Sequence, residues 1–255
     1  MLPILNIGPL AIPAPAFILL IGFWLGLELA EKQAQRFGAS ARHIYNLTLV
    51  AILAGLIGAR VVYLAQAPQA FLDSPFSLLS PRPEMLDGVG GVITAALAAA
   101  IYTWKQRLNP WTTLDALTTL LAVLAVTLGV SHFASGDAFG APARLPWSIE
   151  LWGELRHPSQ VYETLAALGI GWLVWPGSRI ARSSQEHPGL RWWAFMALSA
   201  AARLVLESFR GDSTLVLNLF RQAQVIAWVV LAIGLWQIGR TINRPAAASA
   251  EEGVK

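Results

Sequence analysis

Apolar residues run in seven long stretches, near residues 10–30, 46–67, 88–104, 114–135, 158–175, 190–209 and 216–239, with short polar or basic segments between them. A bilayer hydrocarbon core of about 30 Å is crossed by about 20 apolar residues in a helix. Each stretch is therefore expected to span a membrane, the third and fifth being short by this measure. The expected fold class is an all-α integral membrane protein of about seven transmembrane helices. Pro13 and Pro15 are placed to start or kink the first helix. Cations fall in alternate loops: Lys32, Arg36 and Arg42, then Lys105 and Arg107, then Arg179, Arg182 and Arg191, then Arg240, Arg244 and Lys255. The intervening loops hold Asp73, Glu84, Asp87, Asp137, Glu150, Glu154 and Asp212. Loops rich in Lys and Arg stay in the cytoplasm, so the N-terminus is expected outside and the C-terminus inside. Residues 1–243 read as one multi-span membrane domain, and 244–255 as a disordered cytoplasmic tail.

Composition sharpens this reading. The chain is 55% hydrophobic and 13% charged, where soluble domains carry roughly 25% charged residues. The net charge of +3 fits basic loops lying against anionic lipid better than nucleic-acid binding. There is no cysteine, which excludes disulfides, a thiolate nucleophile and cysteine-ligated metal. The four histidines, His43, His132, His157 and His187, have no zinc-binding spacing, and no metal or cofactor is expected. Neither a Gly-x-Ser-x-Gly elbow nor a P-loop occurs, against a familiar hydrolase or ATPase. No Lys or Arg precedes Lys32, so the first apolar run lacks the basic start of a cleaved signal peptide and is expected to remain a span.

The topology sets the depth of the polar residues. Arg60 and Arg203 fall about two thirds of the way along helices running outward. Gly88, Gly90 and Gly91 start a helix at its outer end, His132, Ser135 and Asp137 finish one there, and Arg156-His157-Pro158-Ser159-Gln160-Val161-Tyr162-Glu163 opens another. Ionisable groups in or beside spans are costly and commonly functional, so one site at the outer leaflet is expected. Arg203 and Glu207 lie four apart on one helix face and can pair; the arginine either only neutralises Glu207 or meets a phosphate, which its planar fork suits. The glycines either cradle a phosphate through backbone N–H groups or allow close helix packing. His157 is the best-placed base and His132 the second. A transporter would want paired broken helices near the midplane, and none is seen.

The segment 156–163 resembles the hallmark of the prolipoprotein diacylglyceryl transferases, and the likeness runs along nearly the whole chain. Gly8-Pro-Leu-Ala-Ile12 resembles that family's opening, Gly58-Ala-Arg-Val-Val-Tyr63 its second-helix motif, and Leu114-Asp115 the start of its fourth helix. His132-Phe-Ala-Ser-Gly-Asp-Ala-Phe-Gly140, followed by Pro146-Trp147, resembles Asn-Phe-x-Asn-Gly-Glu-x-x-Gly. Arg203-Leu-Val-Leu-Glu-Ser-Phe-Arg210 resembles Arg-x-x-x-Glu-x-x-Arg, and Gln224 sits where the last helix begins. The resemblance implies a multi-pass enzyme of the bacterial inner membrane that moves the diacylglyceryl group of phosphatidylglycerol to the lipobox cysteine of a prolipoprotein signal peptide. It implies phosphate binding by Arg203, Arg60 and Arg156, and catalysis by His157, His132, Asp137 and Glu163. Gly90, Gly91, Gln160, Tyr162, Glu207 and Arg210 would support them. The chain departs from the pattern where His-Gly-Gly reads Val89-Gly90-Gly91 and where Gly-Arg-x-Gly-Asn reads Leu128-Gly129-Val130-Ser131-His132. Asp137 replaces a glutamate, and Pro15 a tyrosine. These losses leave a second reading open, a degenerate paralogue that binds lipid or lipoprotein without transfer.

Overall fold

The computed structural model describes residues 4–7, 10–68, 85–216 and 220–243. The Gly8-Pro9 part of the opening motif, the loop acids Asp73 and Glu84, and the tail at 244–255 lie outside the described residues. Seven long helices occupy the seven apolar stretches: α1 (Ala14–Ala34), α2 (Ala41–Gln66), α3 (Gly88–Lys105), α4 (Pro110–Ser135), α5 (Ser159–Leu173), then, after the short α6 (Arg179–Glu186), α7 (Leu190–Leu206) and α8 (Gln222–Ile242). Local chemistry sets several of the starts. Pro13 is the N-cap of α1 and Pro15 lies in its first turn, where a missing N–H costs nothing. Asn109 caps α4 ahead of Pro110 by accepting from Trp111 N. Ser178 caps α6 through Ala181 N, and Asp87 caps α3 through Gly90 N.

Among the described residues, four helices are long and apolar enough to cross a membrane: α1 continued to Phe37, α2, α4 and α8. The other three are shorter, at 18, 15 and 17 residues. Large apolar side chains are exposed along them, among them Trp24, Ile57, Val92, Leu165, Trp172 and Trp228. A soluble monomer rarely exposes contiguous apolar patches beyond a few hundred Å². The chain is an all-α membrane protein whose outer surface is built for lipid.

Lipid gives no hydrophobic drive between helices, so small residues that let backbones approach set the packing. At the α2–α3 crossing, a Cβ on Gly90 would stand 2.6 Å from Val62, and one on Gly91 would stand 3.1 Å from Ala59 Cβ and 3.2 Å from Gly55 O. With Gly90 N already taken by Asp87, these glycines serve the crossing. A leucine at Gly91 is expected to force α2 and α3 apart and lower the yield of folded protein, as size-exclusion chromatography in detergent would report.

Three short antiparallel ribbons occur among the described residues, one ahead of α1 and two between helices: β1 (Ile4–Ile7) with β2 (Leu10–Pro13), β3 (Ile149–Leu151) with β4 (Glu154–Arg156), and β5 (Leu215–Val216) with β6 (Phe220–Arg221). The β3–β4 turn is Trp152-Gly153, both at positive φ, the geometry that a tight hairpin prefers.

Candidate active site

The segment after α4 ties one end of the helix bundle together. Gly136 ends α4 in the left-handed conformation, and the chain then runs extended between two others. On one side Ala141 N donates to Phe209 O and Gly211 N donates to Phe139 O. On the other, His157 N donates to Ala141 O and Ala143 N donates to Leu155 O. Gly140 lies where a Cβ would collide with the His157 carbonyl oxygen, so only glycine lets the three strands close. This patch brings the start of α5 against the end of α7. Ser159 Oγ donates to Ala138 O at 2.6 Å, and Gln160 Nε2 donates to Asp137 O at 2.9 Å.

Glu163 is the centre of what results. Its Oε1 accepts from Arg203 Nη1 at 3.0 Å and from Arg210 Nη1 at 2.8 Å, while its Oε2 lies 3.3 Å from His132 Nδ1. Arg203 Nη2 also lies 2.9 Å from Glu207 Oε2, an ion pair without hydrogen-bond alignment. Arg210 closes the far side by a two-pronged pair with Asp212, Nε to Oδ1 at 2.9 Å and Nη2 to Oδ2 at 2.7 Å. Burial alone would raise the pKa of Asp212, but the hydrogen bonds and charge of Arg210 outweigh it and hold the carboxyl below its ordinary range. Burial opposes the charge of Arg210, and Asp212 with Glu163 more than compensates, so its pKa is raised. Arg203 is 37% exposed and Arg210 only 12%. Arg203 thus has room for a ligand, while Arg210 is spent on holding two carboxylates.

A second group stands beside the first. Trp147 Nε1 donates to Tyr162 Oη at 2.8 Å, and His157 Nδ1 lies 3.5 Å from the same oxygen. The Phe209 ring packs on both, with centroids 5.3 Å from His157 and 5.8 Å from Tyr162. Arg156 turns toward the hairpin: it donates to Gly140 O and Glu154 and stacks on Phe139. Arg60 belongs to the α2–α3 pair, where Nη1 donates to Met85 O at 3.3 Å. Asp137 is exposed and meets Gln160 through its backbone carbonyl rather than its carboxylate. The fold thus brings together His132, Glu163, Arg203, Glu207 and Arg210, with His157, Tyr162 and Gln160 alongside.

Arg221 is the residue that sequence reading missed. Its Nη1 donates to the carbonyls of Glu207 and Arg210 and to Ser213 Oγ, fixing the turn that aims Arg210. The signal was a lone cation directly before an apolar helix.

The prolipoprotein diacylglyceryl transferase family profile matches residues 3–239. The chain is 30% identical over 216 residues to the phosphatidylglycerol–prolipoprotein diacylglyceryl transferase of Clostridioides difficile (strain 630), covering 84% of each. The chain belongs to the prolipoprotein diacylglyceryl transferase family. It is 26% identical to the same-named protein of Symbiobacterium thermophilum over 98% of this chain and 96% of that one. It is also 26% identical to that of Thermosynechococcus vestitus over 92% and 91%.

Two of the departures noted in the sequence, at Val89 and Gly129, have a structural meaning here. Val89 is exposed, whereas Gly129 packs on α5 so closely that a Cβ would stand 3.0 Å from Thr164 N and 3.1 Å from Thr164 Cα, and closer still to its hydroxyl. The space of the missing arginine is filled. Gly129→Arg is expected to separate α4 from α5 and abolish the folded protein, measured as loss of a monodisperse peak in detergent.

Proposed function

We propose that the chain transfers the diacylglyceryl group of phosphatidylglycerol to the lipobox cysteine of a prolipoprotein, at the outer face of a bacterial inner membrane. The observation that carries the reading is the Glu163 network, which couples a partly exposed arginine to a carboxylate-oriented histidine. All seven long helices cross the membrane, with the N-terminus outside and the C-terminus inside. Reporter fusions after Arg107 and Arg182 are expected to read as cytoplasmic and one near Glu150 as external; an external signal at Arg182 would reverse the placement of the site. A degenerate, non-transferring relative is not favoured, since the relatives named above carry the transferase name.

Arg203 binds the phosphate of phosphatidylglycerol, and Glu163 and Glu207 hold its fork in place. The acceptor thiol loses its proton to His132, whose other ring nitrogen is free once Nδ1 is held by Glu163. The sulfur attacks the glycerol carbon of the diacylglyceryl group, forming the S–C bond. The C–O bond to phosphate breaks, and glycerol phosphate leaves with the electron pair. Charge grows on the departing phosphate, where a fixed cation helps most. His132 stands where the resemblance expects asparagine, and the histidine expected at position 89 is gone.

The test is transfer from labelled phosphatidylglycerol to a lipobox peptide. His132→Asn is expected to lower kcat about 10²–10⁴-fold at pH 7. A thiol titrates near about 8.5, so the variant should recover as pH rises through that value while the parent changes little. An asparagine variant within threefold of the parent at pH 7 would exclude His132 as the base.

A further inference from the structure

A groove of about 500 Å³ runs between α7 and α8 and is closed at one end by α6. Ala194, Ala197 and Ala201 of α7 form its floor, with Leu231 and Leu235 of α8 along its wall. Close approach at Gly234, where a Cβ would lie 3.1 Å from Ala197 Cβ, fixes the seam. Its polar groups are Arg179 and Ser183, one turn apart on α6 and both exposed. The groove is separate from the Glu163 site. Arg203 follows Ala201 by two residues, roughly 200° around the helix, and Arg179 sits by the opposite end of α7.

We propose that this groove holds an anionic phospholipid of the cytoplasmic leaflet, one acyl chain lying along α7 and α8 and the phosphate on Arg179. The volume falls in the range of about 300–1,000 Å³ that takes small ligands. An apolar trough with one cation and one hydroxyl at its mouth matches an unbranched chain ending in an anion. A peptide would bring backbone N–H and C=O groups into a wall that offers them no partners, at several kcal/mol each. Basic pockets between helices on the cytoplasmic side are where such head groups bind. The role is that of a bound structural or regulatory lipid, distinct from the substrate.

The probe is dioleoyl phosphatidylserine, which is anionic without being the proposed substrate, offered with equal dioleoyl phosphatidylcholine in nanodiscs and counted by native mass spectrometry after release into detergent. The parent is expected to retain phosphatidylserine in preference. Arg179→Glu should lower that preference about fivefold, and Ala201→Phe, which fills the trough, should lower retention of both lipids. Arg182→Glu makes the same charge change one residue outside the lining and should leave retention as in the parent. Transfer from phosphatidylglycerol should be unchanged in Arg179→Glu. Equal loss in the 179 and 182 variants would mean diffuse charge attraction, and no preference in the parent would mean no site. Loss of transfer in Arg179→Glu would place the groove on the substrate path. Each of these results overturns the proposal.

Discussion

Glu163→Gln is expected to fold and to lose transfer activity by about 10²–10³-fold. The amide retains an oxygen for Arg203 and Arg210, which now meet at one carboxylate oxygen, so the helices keep their contact. What it loses is the negative charge between two guanidinium groups and the acceptor that holds the His132 ring. A general base contributes about 10²–10⁴-fold, and its orientation is the part at risk. The loss should appear in kcat. KM for phosphatidylglycerol should stay level or fall, because Arg203, left with Glu207 as its one carboxylate partner, attracts phosphate more strongly. Glu163→Ala removes the oxygen as well and leaves Arg203 with Glu207 alone and Arg210 with Asp212 alone, a change that costs roughly 1–3 kcal/mol. Steady-state kinetics on the glutamine variant and thermal melts of both separate chemistry from scaffold. A glutamine variant with kcat within tenfold of the parent and a raised KM would make the carboxylate a lipid-binding device alone.

The part of this site legible in sequence is the part with a local period. Arg203 and Glu207 are four apart and so share a helix face, and the structure pairs them. Seven apolar runs gave seven helices, because a helix satisfies its backbone internally, and four of those described are long and apolar enough to cross a membrane. The third member, Glu163, is 40 residues from Arg203. Such an approach depends on the extended strand at 139–143 and on the missing Cβ of Gly140, which no periodicity reports. The same holds for Gly129. Read along the chain, it marks an absent arginine; in three dimensions, Thr164 occupies the space. Gly88-Val-Gly-Gly91 was ambiguous for another reason, since glycine permits both anion cradles and close crossings, and only Val62 and Gly55 decide between them. The ribbons escaped notice because two- to four-residue strands carry too few alternations to read.

The largest loss of stability is expected from Arg191→Ala, at the end of the bundle away from Glu163. Arg191, expected among the loop cations, is instead fully buried in the first turn of α7. Its Nε donates to Val174 O at 2.7 Å, Nη1 to Asp115 O, and Nη2 to Thr119 Oγ1 at 2.9 Å, with the guanidinium 4.5 Å over the Phe37 ring. Asp115, 1% exposed, answers from α4: Oδ2 accepts from Gly189 N at 2.6 Å and Oδ1 from Trp192 N at 2.8 Å. A side chain of another helix thereby caps α7, satisfying N–H groups that have no partner within it and opposing the positive end of its dipole. Val174 O is an end carbonyl of α5, so the pair pins α4, α5 and α7, the helices that carry His132, Glu163 and Arg203. Truncating Arg191 leaves Asp115 buried without its countercharge and costs roughly 3–5 kcal/mol, which lowers Tm by roughly 10 °C. Lysine should recover part of this, keeping the charge without the three fixed donors. Asp115→Ala should lose a similar amount, and the double variant should lose less than the two single losses added, because each single change already breaks the shared network. The measurement is thermal unfolding of the four proteins in one detergent, with transfer rates below the lowest Tm. Additive losses of under about 1 kcal/mol each would show that the pair is not what holds the three helices in register, and that the geometry around Glu163 is set at its own end of the bundle alone.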